Sequence, residues 1–525
     1  MLRRIRMTFA VISFVLITLL FLDFTGTFHR CFGWLAKIQF LPAILALNIG
    51  AVAALVLLTF MFGRIYCSVI CPLGVFQDIA ARVMPKRRKG TAKAGTPKHR
   101  YAFSPAVTWL RYGVLAVFGV LFVLGVNSVF ALLEPYSIYG RIASSLFVPL
   151  YQLGNNLLGH VSIHLGSYTF SPVDIWLKSG ITLAVAIGFF VLTGFLAWRN
   201  GRIYCNSVCP VGTALGILAR FSLFKPVINT EKCNRCGLCA GNCKSSCIDH
   251  KTQTIDYSRC VTCMNCVGQC RRNALVYTRV PPFSVSTMLQ HNFHATDSKT
   301  TARSSDDSNS ANHHSGNSIR RNLLSLAALF TFVSALRAKY LFADGGLAEL
   351  IDKKKPDRAT PLIPAGSQGL RNFAKHCTAC QLCVSVCPNQ TLRPSHDLSK
   401  FLQPEISFER GYCRPECVRC SEVCPTAAIH RITTAEKTAV QIGHAVWVKK
   451  NCVVIRDNVT CKNCERHCPT GAIQLILQDT AKPDAPKIPM IDTERCIGCG
   501  ACEHLCPSRP LSAIYIEGHE RHRMI

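Results

Sequence analysis

The chain has 525 residues, 30 of them cysteine, and its 59 Lys+Arg against 29 Asp+Glu give a net charge of +30. With 49% hydrophobic residues, 17% charged and a mean hydropathy of +0.23, it is neither a disulfide-stapled secreted miniprotein, which would be far shorter, nor an ordinary soluble enzyme. The length allows three or so units with cores of their own. The positive hydropathy points to membrane segments, where a basic excess reports topology rather than a nucleic-acid surface.

Four apolar runs predict spanning helices at about 7–22, 40–62, 112–133 and 180–198, each near the ~20 residues that a span needs. Arg3, Arg4 and Arg6 precede the first, yet no small-residue cleavage site follows it; it reads as an anchor, not a secretory signal. The loop 63–100 carries nine Lys and Arg, whereas 134–172 carries only Arg141. The positive-inside rule therefore puts the amino terminus, the 63–100 loop and the segment after the fourth run in the cytoplasm. The basic run 86–89 reads as a topology determinant touching lipid headgroups, with no nucleic acid as partner.

The second and fourth runs end in near-identical segments, GRIYCSVICPLG at 63–74 and GRIYCNSVCPVG at 201–212. The membrane part is thus a duplicated two-helix unit. In each copy two cysteines stand four apart, on one face of a helix, and the following Pro ends or kinks it. A pseudo-two-fold would bring Cys67, Cys71, Cys205 and Cys209 together as a four-thiolate metal or redox site; the plain alternative is a turn whose thiols merely pack.

Bacterial ferredoxin spacing follows, twice: Cys233, Cys236, Cys239, Cys243 and Cys260, Cys263, Cys266, Cys270. In this pattern three close thiolates hold three irons of a cubane and the fourth ligand comes from the partner motif. Cys233, Cys236, Cys239 and Cys270 then bind one [4Fe–4S] cluster, and Cys260, Cys263, Cys266 and Cys243 the other. Lys244 and Arg271 stand where a Pro is usual, and Cys247 reads as a free thiol, with a substitute ligand the lesser alternative.

Residues 281–317 are rich in Ser, Asn, Asp, Thr and His and read as a flexible linker, in which His313 and His314 are solvated. Ser318-Ile-Arg-Arg-Asn-Leu-Leu then opens a short apolar stretch to 336, resembling an internal twin-arginine export signal. Such transport carries folded proteins, which suits a domain that must receive clusters before export. Four more quartets follow: Cys377/Cys380/Cys383/Cys387, Cys413/Cys417/Cys420/Cys424, Cys452/Cys461/Cys464/Cys468 and Cys496/Cys499/Cys502/Cys506, each ending in Cys-Pro. Strand-like runs at 472–477 and 513–517 follow the last two, as in ferredoxin-like halves.

The expected fold class is an α-helical membrane bundle of four spans plus α+β ferredoxin-like iron–sulfur domains. Its units are a transmembrane domain at 1–220, a two-cluster ferredoxin at 221–280, the linker 281–317, the signal or anchor 318–345 and a four-cluster ferredoxin at 346–525. Six quartets use 24 cysteines and imply six [4Fe–4S] clusters, leaving Cys31, Cys247 and the repeated quartet. The sequence has no Cys-x2-Cys-His haem site, dinucleotide loop or P-loop, so it conducts electrons without nucleotide chemistry of its own.

This order of modules resembles the NapH/NapG-type quinol dehydrogenase of the periplasmic nitrate reductase system, as a single-chain fusion of the membrane and four-cluster subunits. It departs from that pattern in its internal signal and in Lys244 and Arg271. The resemblance implies a bacterial inner-membrane protein in contact with lipid and quinone. Its two-cluster ferredoxin would be cytoplasmic and its four-cluster domain periplasmic. Electrons would pass from quinol through the clusters to a periplasmic reductase or small cytochrome. It also implies that the first C-terminal motif pairs with the fourth and the second with the third. Cys377, Cys380, Cys383 and Cys506 would then share a cluster, as would Cys496, Cys499, Cys502 and Cys387; Cys413, Cys417, Cys420 and Cys468; and Cys452, Cys461, Cys464 and Cys424. No catalytic residue is assigned. His29, His160 and His164, in outward loops, are candidate quinol proton acceptors, with ordinary loop histidines the plain alternative. The rival functions are a polyferredoxin maturation factor and an electron donor to a different periplasmic oxidoreductase.

Overall fold

The structure is a computed structural model, and it describes residues 2–23, 25–83, 101–125, 131–166, 169–175, 177–280, 351–479 and 485–525. The linker 281–317, the twin-arginine-like segment 318–345 and the basic run 86–89 lie outside the described residues.

Two described helices are long and apolar enough to cross a membrane, Leu2–Leu22 and Gly180–Asn200, each of 21 residues. The other two expected spans are shorter. The run 40–62 breaks into Phe40–Leu45 and Ile49–Phe62, because Leu47 turns left-handed (φ 52°) and the Asn48 side chain caps the second piece by accepting from Ala51 N. The third run forms Thr108–Leu124, 17 residues stopped by Gly125 in the left-handed region. The four full-length spans expected thus reduce to two, with two shorter apolar helices beside them.

The segment 134–172, read as an outward loop, is largely helical. Glu134 caps Pro135–Ile142 by accepting from Ser137 N, a five-residue π turn at Ala143–Phe147 follows, and Val148–His164 continues the chain. Every residue of Pro135–Ile142 is buried. Tyr139 packs edge-on to Phe14 of the first long helix at 5.4 Å, and Arg141 satisfies its charge on the carbonyls of Ala131 and Leu132. Both terminal nitrogens of this buried arginine are thus used, which offsets part of the cost of its burial.

The two ferredoxin modules are small antiparallel sheets around cysteine loops. In the first, Phe224–Ile228 pairs with Leu275–Arg279, so the module's ends close on each other, and Ile248–Asp249 pairs with Thr254–Ile255. In the second, Val440–Trp447 pairs with Ile514–Met524, Ile473–Leu477 with Lys487–Ile491, and Leu392–Pro394 with Pro404–Ile406. The strand-like runs expected at 472–477 and 513–517 fall on two of these strands.

The helix Gly180–Asn200 carries one module at each end. Before its first turn, Lys178 Nζ donates to Val384 O (2.6 Å), and the Ser179 hydroxyl lies 3.5 Å from His396 Nε2. After its last turn, Arg202 N donates to Lys244 O (2.9 Å). At 1.5 Å per residue these contacts are about 30 Å apart. The helix Leu2–Leu22 repeats the arrangement, since Arg6 reaches Asp78, the partner of Lys244, while Thr25 beyond its other end accepts from Arg419.

Candidate functional site

Four of the six quartets with strict CxxCxxC spacing share one backbone device. The residue before the second cysteine and the residue after it are both left-handed: Arg235 and Gly237, Thr262 and Met264, Ala379 and Gln381, Gly498 and Gly500. Five of these eight are not glycine, and each such residue carries a strain cost that only a site over-determining the backbone would hold. Alternating left-handed turns curl the loop so that its thiols face inward. At Gly500 the choice of residue is also steric, because an added Cβ would stand 2.3 Å from the Phe408 ring.

In the N-terminal module the short helix Leu238–Gly241 packs against the turn Val267–Gln269, which immediately precedes Cys270. One hollow is lined by Cys243, Cys260, Cys263 and Cys266, the three-plus-one set expected for the second cluster. Cys247 lines the same hollow, buried, with its sulfur 3.5 Å from that of Cys243. It stands four residues after the motif's last cysteine, where Ala274, Ala428 and Ala472 stand in three of the other motifs. The thiol read as free is thus a fifth thiol at a cluster hollow. That position in the repeats is the signal that would have found it.

Lys244 also finds its reason here. In place of the usual Pro, it sends its ammonium 3.1 Å to Asp78 and its carbonyl to Arg202 N, tying the cluster loop to the helical part.

In the C-terminal module the ligand pairing differs from the expectation. The Cys377, Cys380 and Cys383 thiols interact with Cys424, and Cys387 lines a hollow with Cys413, Cys417 and Cys420. Likewise Cys506 closes a hollow with Cys452, Cys461 and Cys464, while Cys468 interacts with Cys496, Cys499 and Cys502. The first motif pairs with the second and the third with the fourth, correcting the first-with-fourth and second-with-third scheme. The reason is packing. The helix Leu382–Ser385 lies on Arg419–Val423, and Asn463–Arg466 lies on Ala501–Leu505, so consecutive motifs face each other. Backbone N–H groups point at the crossing thiols, from Ile429 to Cys424 Sγ (3.4 Å) and from Ala513 to Cys506 Sγ (3.3 Å). Buried Lys437 donates to Cys413 Sγ (3.1 Å). Donors on ligand sulfurs and a nearby cation stabilise a reduced cluster.

The pairing has a direct test in iron content. Cys383→Ser and Cys424→Ser are each expected to remove one cluster, about four irons. The double variant should lose the same four, because both ligands serve one cluster; a loss of about eight would restore the crossed scheme.

The repeated Cys-x3-Cys-Pro segments meet as the duplication requires. Cys67, Cys71, Cys205 and Cys209 are all buried and within electrostatic reach of one another. The two copies embrace reciprocally: Arg64 donates to Cys205 O (3.1 Å) and Arg202 to Cys67 O. Gly74 and Gly212 leave room for this, since a Cβ on either would sit 2.3 Å from Cys67 O or Cys205 O. Burial pushes the Cys205 thiol up to about 11, against the pull of Arg202. Among the described residues no three Cys, His, Asp or Glu side chains converge tightly enough for a single metal ion, at this quartet or at the ferredoxin-type ones.

Of the histidines, His29 is held by Asp23 (3.0 Å), while His160 and His164 are exposed on Val148–His164. None of them lines the large cavity between the helices and the C-terminal module.

The fit to 4Fe–4S clusters rests on the three-plus-one hollows and inward-curled loops, and comparison with known proteins agrees. A model described as "4Fe-4S binding domain" matches residues 44–91 and 180–229, the two Cys-x3-Cys-Pro repeats. Two models described as "4Fe-4S dicluster domain" match 459–509 and 256–391. The methylamine utilization ferredoxin-type protein MauM of Methylophilus methylotrophus is 30% identical over 162 residues, 30% of this chain and 71% of that one. The ferredoxin-type protein NapF of Escherichia coli K12 is 28% identical over 30% of this chain and 86% of its own length. The ferredoxin-type protein NapG of the same strain is 32% identical over 28% and 65%. No solved structure matches. With several 4Fe-4S domains and these relatives, the chain belongs to the family of the MauM ferredoxin-type proteins, is related to NapF and NapG, and is an iron–sulfur electron-transfer protein.

Proposed function

We propose that this protein oxidises quinol at the bacterial inner membrane and passes the electrons through its iron–sulfur clusters to a periplasmic acceptor. The observation that carries this reading is the placement of one cluster module at each end of a 21-residue apolar helix. That length matches a bilayer's hydrocarbon core. Loop charge favours a cytoplasmic N-terminal module, and the four-cluster module, at the opposite end of the helix, would then be periplasmic. Six clusters, held by the 24 cysteines named above, would supply one-electron steps when bound. Cys67, Cys71, Cys205 and Cys209 would hold a further iron–sulfur centre between the modules. The acceptor is a periplasmic nitrate reductase or a small cytochrome serving it, in keeping with the NapF and NapG relatives.

The MauM relatives favour a second reading, in which the cluster path is the same and the partner is a periplasmic oxidoreductase of methylamine utilization. Reduction of the clusters by menadiol in membranes, followed by EPR, tests the shared claim. Reduced-cluster signals are expected within the mixing time of a manual experiment, and oxidised clusters under excess quinol would refute the dehydrogenase role.

A further inference from the structure

A cavity of about 280 Å³ lies where the helical part meets the C-terminal module. Val148 of the helix Val148–His164 and Leu183 of Gly180–Asn200 form part of its apolar wall, and Cys387 and Gln381 line its module side. Cys387 belongs to the hollow with Cys413, Cys417 and Cys420, whereas Gln381 lies between Cys380 and Cys383. Two different cluster sites therefore border one cavity.

Two polar groups on its wall lack partners. Gln381 is 2% exposed and Thr182 3% exposed. The Gln381 amide nitrogen and the Thr182 hydroxyl have no hydrogen-bond partner among the described residues. A buried polar group left unmet is costly, so this pair is suited to meet the oxygens of a bound ligand. Ser144 holds the Gln381 amide in place, donating to its oxygen at 2.9 Å and leaving the NH2 to point elsewhere. Gln381 also occupies a left-handed position (φ 61°) that two of the equivalent loops fill with Gly237 and Gly500.

The ligand chemistry follows from the lining. Among the described residues no Asp or Glu lines the cavity and Lys178 is its one cation, so a polyphosphate or a dicarboxylate is poorly served. The volume is just below the roughly 300–1,000 Å³ usual for ligand sites, enough for a ring rather than a nucleotide. The two bordering helices also present apolar surface, since Leu157, Leu158 and Val161 on one and Ile181 on the other are exposed.

We propose that this cavity binds the head group of a quinol, with Gln381 Nε2 and Thr182 Oγ1 hydrogen-bonded to its oxygens. The proposal rests on the dehydrogenase reading and locates its substrate. Quinol oxidation to quinone releases two electrons and two protons. The two bordering cluster sites would accept one electron each, and the protons leave to water at the exposed rim by Val173.

The test uses the full chain in proteoliposomes with Gln381→Gly, which suits the left-handed backbone, and Thr182→Val, which keeps the shape. Binding is read from the fluorescence quenching of a hydroxyquinoline N-oxide quinone analogue, and function from menadiol-driven cluster reduction. Each variant is expected to weaken analogue binding about tenfold, with the dithionite-reduced EPR spectrum unchanged. Wild-type binding in both variants overturns the site. Analogue binding that depends on Gln381 and Thr182, in a wild type whose clusters menadiol does not reduce, supports the site while refuting the dehydrogenase reading.

Discussion

Asp78→Ala is expected to lower the thermal unfolding midpoint of the full chain and to loosen the N-terminal ferredoxin module from the helices. Its carboxylate meets Arg202 twice at 2.9 Å, Lys244 at 3.1 Å and Arg6 at 3.4 Å. Arg202 is fully buried, Lys244 and Arg6 are nearly so, and the anion itself is 12% exposed. Burial alone would raise the Asp78 pKa, but Arg202, then Lys244 and Arg6, outweigh it and hold the carboxyl well below the usual carboxylate range. Removing the one anion leaves the cations facing each other out of water. Breaking a buried ion pair this way costs about 3–5 kcal/mol, and the partial exposure of Asp78 places the loss near the lower figure. The sign with pH follows, since a depressed carboxylate contributes fully above its unfolded-state pKa and loses its effect as pH falls toward the folded one. The gap between wild type and variant should stay constant down to about pH 4 and narrow only below it. Scanning calorimetry on detergent-solubilised protein reads the midpoint, and proteolysis between residues 220 and 280 reads the loosening. An unchanged midpoint would show that water already screens the cluster of charges.

The same residue shows what the sequence could and could not reveal. Lys244 in the place of a proline was legible as a departure, but its cause was not, because Asp78 is remote in sequence and lies in a segment read as a basic loop. The duplicated GRIYC segments predicted a two-fold meeting of cysteines, and the Arg64–Cys205 and Arg202–Cys67 contacts realise it. The break at Leu47 had a local sign, Asn48 before a fresh apolar run, which is a helix-start signature. By contrast, Pro135–Ile142 mixes tyrosines, Ser137, Gly140 and Arg141, so its composition resembles a loop. It is buried because Phe14, Phe21, the helices Pro72–Val83 and Gly180–Asn200 and the C-terminal module close around it. The pairing of cluster motifs depends on which short helices pack together, a long-range choice that cysteine spacing does not encode. Gln381 and Thr182 were invisible for the same reason, being ordinary residues until two modules enclose them.

Replacing Cys67 and Cys205 together by Ser is expected to cut electron communication between the modules while leaving the six ferredoxin-type clusters in place. The quartet sits beside the Arg202–Asp78–Lys244 cluster of charges, and Lys244 directly follows the cluster ligand Cys243. On its other side Cys71 and Cys380 both feel the buried Glu134 carboxylate, which lies next to Pro135–Ile142. The four thiols therefore lie between the two modules' nearest cluster loops. An iron–sulfur centre there would divide one long electron path into two shorter ones. Four buried thiols that merely packed would need neither two buried arginines on their carbonyls nor two glycines to let those carbonyls approach. The wild type should contain more iron and acid-labile sulfide than six cubanes supply, about 24 irons, and the double variant should fall back to that figure. After menadiol addition the C-terminal clusters should still reduce, whereas the N-terminal pair should stay oxidised and respond only to dithionite. Wild-type iron content and wild-type reduction of the N-terminal clusters in the variant would make the quartet a packing motif and require another route between the modules.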